Sequence, residues 1–397
     1  MQFKVRRILE KKIENEIQKI GFSPSYLDFG VLKHKFLNIK IFNLKPEAAT
    51  IIKETALASN CDAAIHRGVL DHSIEASDLI LSGSAAQLEN VAEKLKKQQF
   101  SMPKISDEIL RELEIFKHGG DLKDTKPDMP KIMGVLNITQ DSFSDGGMFL
   151  DPKKAIEHAA EIIEDGAEII DIGAESTRPG AENIEASVEI ERISPVIKEI
   201  RANSAFDNIK ISIDTRNADT AKVMADLGAD IINDVSGLTH DLNMKNTIRE
   251  TGLNAVIMHS RGNPKNMDEL ALYKNLVDEV YFELQDRVQS AIDSDINPDK
   301  IIIDPGFGFA KNNEQNFEIL RHIEEFRSLG FPILAGLSRK RFIKSVLNDG
   351  LKASDNNTLD DLTAHLSFYF ALNGIKIIRV HNVLKTRQAL DLARHFI

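Results

Sequence analysis

The sequence predicts an α/β protein, a (β/α)8 TIM barrel preceded by a smaller α/β domain. Three observations carry this. From Lys131 onward, eight short apolar, β-branched runs alternate with helical patterns. The runs are continuous, as expected of parallel strands covered on both faces. Residues 131–397 also fill the roughly 250 positions that eight such units need, which favours a closed barrel over a doubly wound open sheet.

The 397 residues are 42% hydrophobic and 28% charged, which excludes a disordered, collagen-like or disulfide-scaffold chain. A single cysteine, Cys61, excludes an intramolecular disulfide and fits a reducing compartment, so a cytoplasmic address is expected. No apolar run approaches the ~20 residues of a membrane span, and the opening MQFKVRRILEKKIENE lacks the apolar centre of a signal peptide. A formal net charge of −11 disfavours nucleic acid as a partner, so an anionic substrate needs local positive charge.

Residues 1–116 read as a small α/β domain without a catalytic signature. Ile8, Ile13, Ile17 and Ile20 recur at helical spacing over residues 4–20. FLNIKIF (36–42) alternates like a strand. Pro46 opens a helix to about Ser59, since a first-turn proline forfeits no helical hydrogen bond. DLILSG (78–83) is another strand, with a helix behind it to about Gln99. KHGGDLKDTKPDMP, residues 117–130, is polar and aperiodic and reads as a linker.

The barrel strands begin with KIMGVLN at Lys131, AEIIDIG at Ala167, KISID at Lys210 and ADIIND at Ala229. They continue with NAVIMH at Asn254, KIIIDP at Lys300, FPILAGL at Phe331 and KIIRVH at Lys376. The first helix is bounded by an Asp151 cap, Pro152 at its first position and a stopping Gly166. Others are expected over about 184–201, 217–227, 267–293, 313–328, 358–373 and 383–396.

In such a barrel the chemistry lies at the carboxyl ends of the strands. Here nearly every end is polar: Asn137, the stretch from Glu175 to Gly180, Asp214, Asn233-Asp234, His259, Asp304, Ser338-Arg339-Lys340, and Arg379 with His381. Any single Asp or Asn there is as readily the cap of the next helix, and Arg339 to Arg341 suit a solvated helix start. Eight ends sharing one mouth are harder to set aside. Asn137, Arg379 and His381 come from strands one and eight, neighbours on closure, and suit a pyrophosphate with Mg2+. Arginine forks onto phosphate oxygens, and an amide oxygen suits a hard cation that keeps its waters. Asp214, Asn233 and Asp304 form an acceptor set for a heterocycle rich in N–H groups, with Lys340 as donor and counter-charge. The connections 138–152 and 174–186 exceed the common 2–6 residues and read as binding loops or lids.

The stretches MGVLNITQDSFSDGG, DIGAESTRPGA, SIDT, INDVSG, IMH, IDPGFGF, AGLSRK and RVH, in this order, resemble dihydropteroate synthase, the folate-pathway transferase that sulfonamides inhibit. The resemblance covers essentially all of 131–397 and implies the same barrel. It implies condensation of 6-hydroxymethyl-7,8-dihydropterin pyrophosphate with p-aminobenzoate, a Mg2+ cofactor and a homodimer. Asp214, Asn233, Asp304 and Lys340, with Met258 and Phe309, correspond to the pterin site. Asn137, Arg379 and His381 correspond to the pyrophosphate site, with Asn137 as the metal ligand. Phe143, Thr177, Arg178, Pro179 and Ser338 correspond to the p-aminobenzoate pocket, and Asp304, Lys340, Arg379 and His381 to the catalytic set. Gln140 departs from the proline usual in the first loop. CDAAIHRG (61–68) resembles an amino-terminal extension of some synthases.

A pterin-dependent methyltransferase would share the barrel and the Asp/Asn set, but not the STRPG loop or the RVH ending, and no D-x-H-x-x-G cobalamin motif is present. A pterin sensor built on a dead barrel would lack Arg178, Lys340 or His381. Cys61, His66 and His72 are thin grounds for a metal site beside the simpler reading of ordinary histidines. The absence of a Ser/His/Asp or reactive-cysteine arrangement fits a reaction with no covalent enzyme intermediate. Asp304→Ala should cost pterin binding, whereas Arg178→Ala should chiefly impair use of p-aminobenzoate. Equal p-aminobenzoate affinities of Arg178→Ala and its parent, measured with pyrophosphate present, would refute the second part.

Overall fold

The computed structural model describes residues 5–118, 129–138, 152–174, 184–263, 265–347 and 355–397. The chain divides into two units, residues 1–117 and 118–397.

In the first unit, β1 (Phe36–Leu44), β2 (Asp62–Ile65) and β3 (Ser77–Ser84) form an antiparallel sheet in the order β1-β3-β2. Leu79 and Leu81 of β3 point to one face and are fully buried, while Ile80 between them is exposed. That face packs against helices Pro46–Leu57 and Ala85–Leu95 through Ile52, Leu88 and Val91, each of which contributes about 1.5–3 kcal/mol by leaving water. Ser84 and Gln87 form a capping box that starts the second helix.

Here the structure departs from the sequence reading in four ways. β2 was not anticipated, because four residues centred on two alanines carry little strand preference. The helix expected to reach Gln99 stops at Leu95, and a further helix, Met102–Lys117, runs into the start of the expected linker. The helical stretch expected over residues 4–20 is the helix Ile13–Lys19, after a short 3-10 turn.

The second unit holds β4 (Lys131–Asn137), β5 (Ile169–Gly173), β6 (Lys210–Asp214), β7 (Ile231–Asp234), β8 (Asn254–Met258), β9 (Ile301–Asp304), β10 (Leu334–Ala335) and β11 (Ile377–Val380). All eight expected runs are strands, and all their pairings are parallel, in the order β10-β11-β4-β5-β6-β7-β8-β9. The two ends meet through an Ile303–Ile333 bridge, where Ile303 N–H donates to the Pro332 carbonyl at 2.9 Å. The sheet is therefore a closed barrel, and β11 lies beside β4.

Strand parity then divides the side chains. Ile132, Leu136, Ile170, Ile172, Ile211, Ile213, Ile232, Ala255, Ile257, Ile303 and Ile378 face the surrounding helices. Met133, Ile169, Ile231, Val256, Ile302, Leu334 and Ile377 pack on one another in a separate inner cluster, the floor of the barrel. No helix among the described residues is long and apolar enough to cross a membrane.

The helices differ from expectation where turn chemistry intervenes. The helix expected from 267 begins at Leu276, because Asn275 is extended and Glu279 accepts the N–H groups of Lys274 and Asn275 at 2.6 and 2.9 Å. Met244–Thr251, after β7, is a short helix that was not anticipated, and the stretch 313–328 is an α-helix to Arg321 followed by a 3-10 segment.

Gly134 on β4 shows how closely the helices sit. A Cβ there would fall 2.3 Å from Ile162 Cγ2 and 3.2 Å from Val383 Cγ2. Gly134→Ala should destabilise the barrel by about 1–3 kcal/mol through overpacking, read as a lower urea midpoint with an unchanged slope.

Candidate active site

The inward positions above the apolar floor change character together. Asn137 lies opposite Gly173, Gly173 opposite Asp214, Asp214 opposite Asn233, and Met258 opposite Asp304. Along the inward parity, β4, β7, β9 and β11 exchange an apolar side chain for Asn137, Asn233, Asp304 and Arg379 at the carboxyl end, β6 ends in Asp214, and β5 and β8 end in Gly173 and Met258. Gly173 lets Asn137 and Asp214 close over its position in this layer, since a Cβ there would lie 3.3 Å from Asp214 Cβ and 3.8 Å from Asn137 Oδ1.

Arg379 on β11 ties the layer together. Its Nε donates to Asp171 Oδ2 at 2.6 Å and its Nη2 to Asp214 Oδ2 at 2.9 Å. Asp171, fully buried on β5, also accepts from Ser212 Oγ at 2.6 Å and Asn233 Nδ2 at 3.1 Å. Burial works against the charge of Arg379, but Asp171 and Asp214 outweigh it and hold the pKa above the usual arginine value. The sequence reading placed Arg379 with the anion set; its guanidinium also bonds Asp214 of the acceptor set, so the two expected groups adjoin.

Asp304 ends β9, and its Oδ1 accepts Gly306 N–H at 2.7 Å. Burial pushes its carboxyl up, opposed by Lys340, the Gly306 N–H, Lys311 and Arg379. Lys340 lies in the turn after β10, donates to the Phe307 carbonyl, and sits 4.4 Å from the centroid of the Phe309 ring. Burial pulls it down to about 8, against Asp304, which favours its charge. Ser338 Oγ accepts the His381 backbone N–H at 3.2 Å and lies 3.0 Å from His381 Nδ1, so a residue expected at the p-aminobenzoate pocket touches one expected at the pyrophosphate.

Among the expected residues, Asn137, Asp214, Asn233, Met258, Asp304, Phe309, Ser338, Lys340, Arg379 and His381 all occupy the carboxyl end of the barrel. Phe143, Thr177, Arg178 and Pro179, with Gln140 and the cap Asp151, lie outside the described residues. Asp234 serves its own turn, accepting from Ser236 and Leu238 N–H at 2.7 and 3.2 Å. His66 Nδ1 accepts Gly68 N–H in a turn of the first unit.

Two residues were missed. Asp171 stands alone in an otherwise apolar strand, and that isolation, with the parity of Ile169 and Gly173, was the available signal. Arg339 looked like a solvated helix start. It has φ +59° and clamps buried Asp360 with two bonds of 2.8 Å, which holds Ser338 and Lys340 on either side of it.

Residues 133–381 match the family described as pterin binding enzyme. A dihydropteroate synthase of Streptococcus pyogenes serotype M3 is 43% identical over 252 residues, covering 64% of this chain and 90% of that protein. A bifunctional dihydropteroate synthase/dihydropteroate reductase of Helicobacter pylori is 32% identical over 394 residues, covering 99% of this chain and 98% of that one. The crystal structure of Xanthomonas albilineans dihydropteroate synthase with 4-aminobenzoic acid superposes with a TM-score of 0.62 at 33% identity, over 68% of this chain and 94% of that chain.

Asp171→Asn keeps the shape beneath Arg379 and removes the charge. A loss of about 3 kcal/mol of unfolding free energy is expected, because a desolvated cation loses one of its two counter-charges. Chemical denaturation of the variant checks this.

Proposed function

The chain belongs to the pterin-binding enzyme family, and on that premise we propose its reaction. It is a dihydropteroate synthase of folate biosynthesis. It transfers the methylene-pterin group of 6-hydroxymethyl-7,8-dihydropterin pyrophosphate to p-aminobenzoate, giving 7,8-dihydropteroate and pyrophosphate. One observation carries the reading: Asp214, Asn233, Asp304, Lys340, Arg379 and His381 come from five different strand ends, the last two sharing one, and meet at one barrel mouth.

Asp214, Asn233 and Asp304 are assigned to the N–H groups of the pterin, with Lys340 as donor and with Met258 and Phe309 as apolar walls. Arg379 and His381 are assigned to the pyrophosphate. Phe143, Thr177, Arg178, Pro179 and Ser338 are assigned to p-aminobenzoate. The C–O bond to pyrophosphate breaks first, leaving a methylene cation on the pterin. The aniline nitrogen attacks that carbon and then loses a proton. Arg379 and His381 stabilise the charge that develops on the leaving oxygen. Asp304 offsets the electron-poor ring, and the charge of Lys340 works against the burial that pushes the Asp304 carboxyl up. Arg379 contacts both halves of the problem, since its guanidinium already bonds a pterin-side carboxylate.

The residues suit a loosely held Mg2+. No group of three His, Cys, Asp or Glu side chains among the described residues is arranged around a metal, so a protein cage is not built here. Asn137 Oδ1 supplies a hard oxygen at the mouth, which fits an ion that keeps its waters and takes its remaining ligands from pyrophosphate. When bound, the ion would neutralise charge on the leaving group. A cytoplasmic homodimer is proposed, as the family resemblance implies. Exposed Leu384, Leu392 and Phe396 near the end of the chain are apolar side chains of the kind a subunit contact covers.

A second activity, reduction of dihydropteroate, is favoured by a single observation: the Helicobacter pylori relative that carries both names is matched through the first unit as well as the barrel. Purified protein mixed with Mg2+, pterin pyrophosphate and p-aminobenzoate should release pyrophosphate only when p-aminobenzoate is present. Release without it, or none at all, would sink the synthase assignment. For the second activity, 7,8-dihydropteroate should accelerate oxidation of a reduced nicotinamide nucleotide, followed by absorbance. No acceleration would confine the chain to the transferase reaction.

A further inference from the structure

Lys311 is a buried cation that the reaction outlined above does not use. It is 5% exposed and follows the loop that carries Gly306, Phe307 and Phe309 away from β9. Its Nζ lies 2.9 Å from His259 Nδ1, 3.1 Å from the Gly306 carbonyl and 3.2 Å from the Phe309 carbonyl. Three acceptors match the three N–H bonds of an ammonium; a neutral amine would leave one unserved. His259 is itself fully buried, and burial with the adjacent Lys311 pushes its pKa down to about 3. The ring is therefore neutral, with Nδ1 accepting from Lys311 and Nε2–H donating to Glu283 Oε2 at 3.1 Å. Despite partial burial, the hydrogen bonds from His259 and Arg261 hold Glu283 at about 2, so the relay ends on a carboxylate.

The loop around this ammonium has an improbable backbone. Gly306, Gly308 and Ala310 have φ of +72°, +75° and +46°. A Cβ on Gly306 would stand 1.8 Å from the His259 carbonyl oxygen. These left-handed residues turn carbonyls inward, toward one point, and Lys311 occupies it. The outward side of the same loop makes the pterin side of the site. Gly306 N–H donates to Asp304, the Phe307 carbonyl accepts from Lys340, and the Phe309 ring lies beneath the Lys340 ammonium.

We propose that Lys311 is a positioning residue for the pterin pocket: its ammonium is the built-in cation around which loop 305–311 folds, and its charge, beyond its bulk, sets where Asp304, Phe309 and Lys340 meet the pterin. This deepens the synthase reading and rests on it. The charged groups facing Lys311 are Asp304, Lys340, Arg287 and Glu283; burial, with the repulsion of Lys340 and Arg287, pulls its pKa well below the usual lysine value, and Asp304, Glu283 and the three acceptors around its Nζ work against that pull.

Lys311→Met removes the charge and keeps the volume, and Lys311→Ala leaves a cavity shaped for propylammonium. Lys311→Met should raise the KM for pterin pyrophosphate about tenfold or more, the worth of one or two charged hydrogen bonds, while the KM for p-aminobenzoate moves by less than about twofold. Propylammonium should restore the pterin KM of Lys311→Ala and raise its Tm, leaving the parent unchanged, and 1-propanol should do neither. A parental pterin KM in Lys311→Met would overturn the proposal. So would equal losses for both substrates without amine rescue, the mark of an ordinary structural pin. A parent that never releases pyrophosphate would instead sink the synthase reading, and the Tm response of Lys311→Ala, which needs no turnover, would still test the loop cation.

Discussion

Arg379 lies between Asp171 and Asp214 on the inner wall of the barrel, and Asp171 has no exposure to water. Removing such charges from solvent costs several kcal/mol per ion unless each finds a partner and its remaining hydrogen bonds are met. Here Ser212 and Asn233 complete Asp171, so the cluster is satisfied as a unit. It depends on closure. β11 supplies the arginine, β5 and β6 supply the carboxylates, and only β4 separates β11 from β5. A sheet that followed chain order without returning β11 to the side of β4 would put the arginine at the far edge and leave Asp171 buried without its cation. The apolar floor of Met133, Ile169, Ile231, Val256, Ile302, Leu334 and Ile377 keeps that side of the cluster dry, which strengthens the ionic contacts above it.

The same economy governs the loop after β9. Its carbonyls turn inward around Lys311 and its opposite side faces Asp304 and Lys340, so one backbone conformation serves two cations. The glycines at 306 and 308 are required on steric grounds. A side chain at 306 would strike the His259 carbonyl, and one at 308 would sit 2.8 Å from Lys340 Cδ. Arg339 uses a parallel device after β10, where a left-handed residue is stabilised by a bidentate bond to Asp360 and presents its neighbours, Ser338 and Lys340, to the mouth. Both loops are pinned by a cation, Lys311 in one and Arg339 in the other, an arrangement that orients the side chains of the barrel mouth before any ligand arrives.

The first unit stands apart in kind. Its sheet has a single covered face, its helices follow ordinary capping rules, and its one cysteine is buried, with the thiol pushed up by desolvation. The Streptococcus pyogenes synthase matches 64% of this chain, whereas the Helicobacter pylori relative matches 99% of it, the first unit included.

The barrel strands were legible because strands buried on both faces need continuous β-branched runs, and no other soluble element reads that way at such short length. The polar ends were legible because each breaks its run. Shorter elements were not: β2 and Met244–Thr251 are too brief for periodicity to register, and the start of Leu276–Ile292 is set by a Glu279 side chain four residues inside. What the sequence determined by itself was the inventory: eight strands, their order, and which residues stand at their ends. What only the tertiary structure decided was the pairing. That Arg379 answers Asp171 and Asp214, or that Lys311 fills a ring of carbonyls from its own loop and a histidine 52 positions earlier, follows from where closure puts each chain segment. Residue type sets what a side chain can bond, and packing in three dimensions selects which of the possible bonds is made.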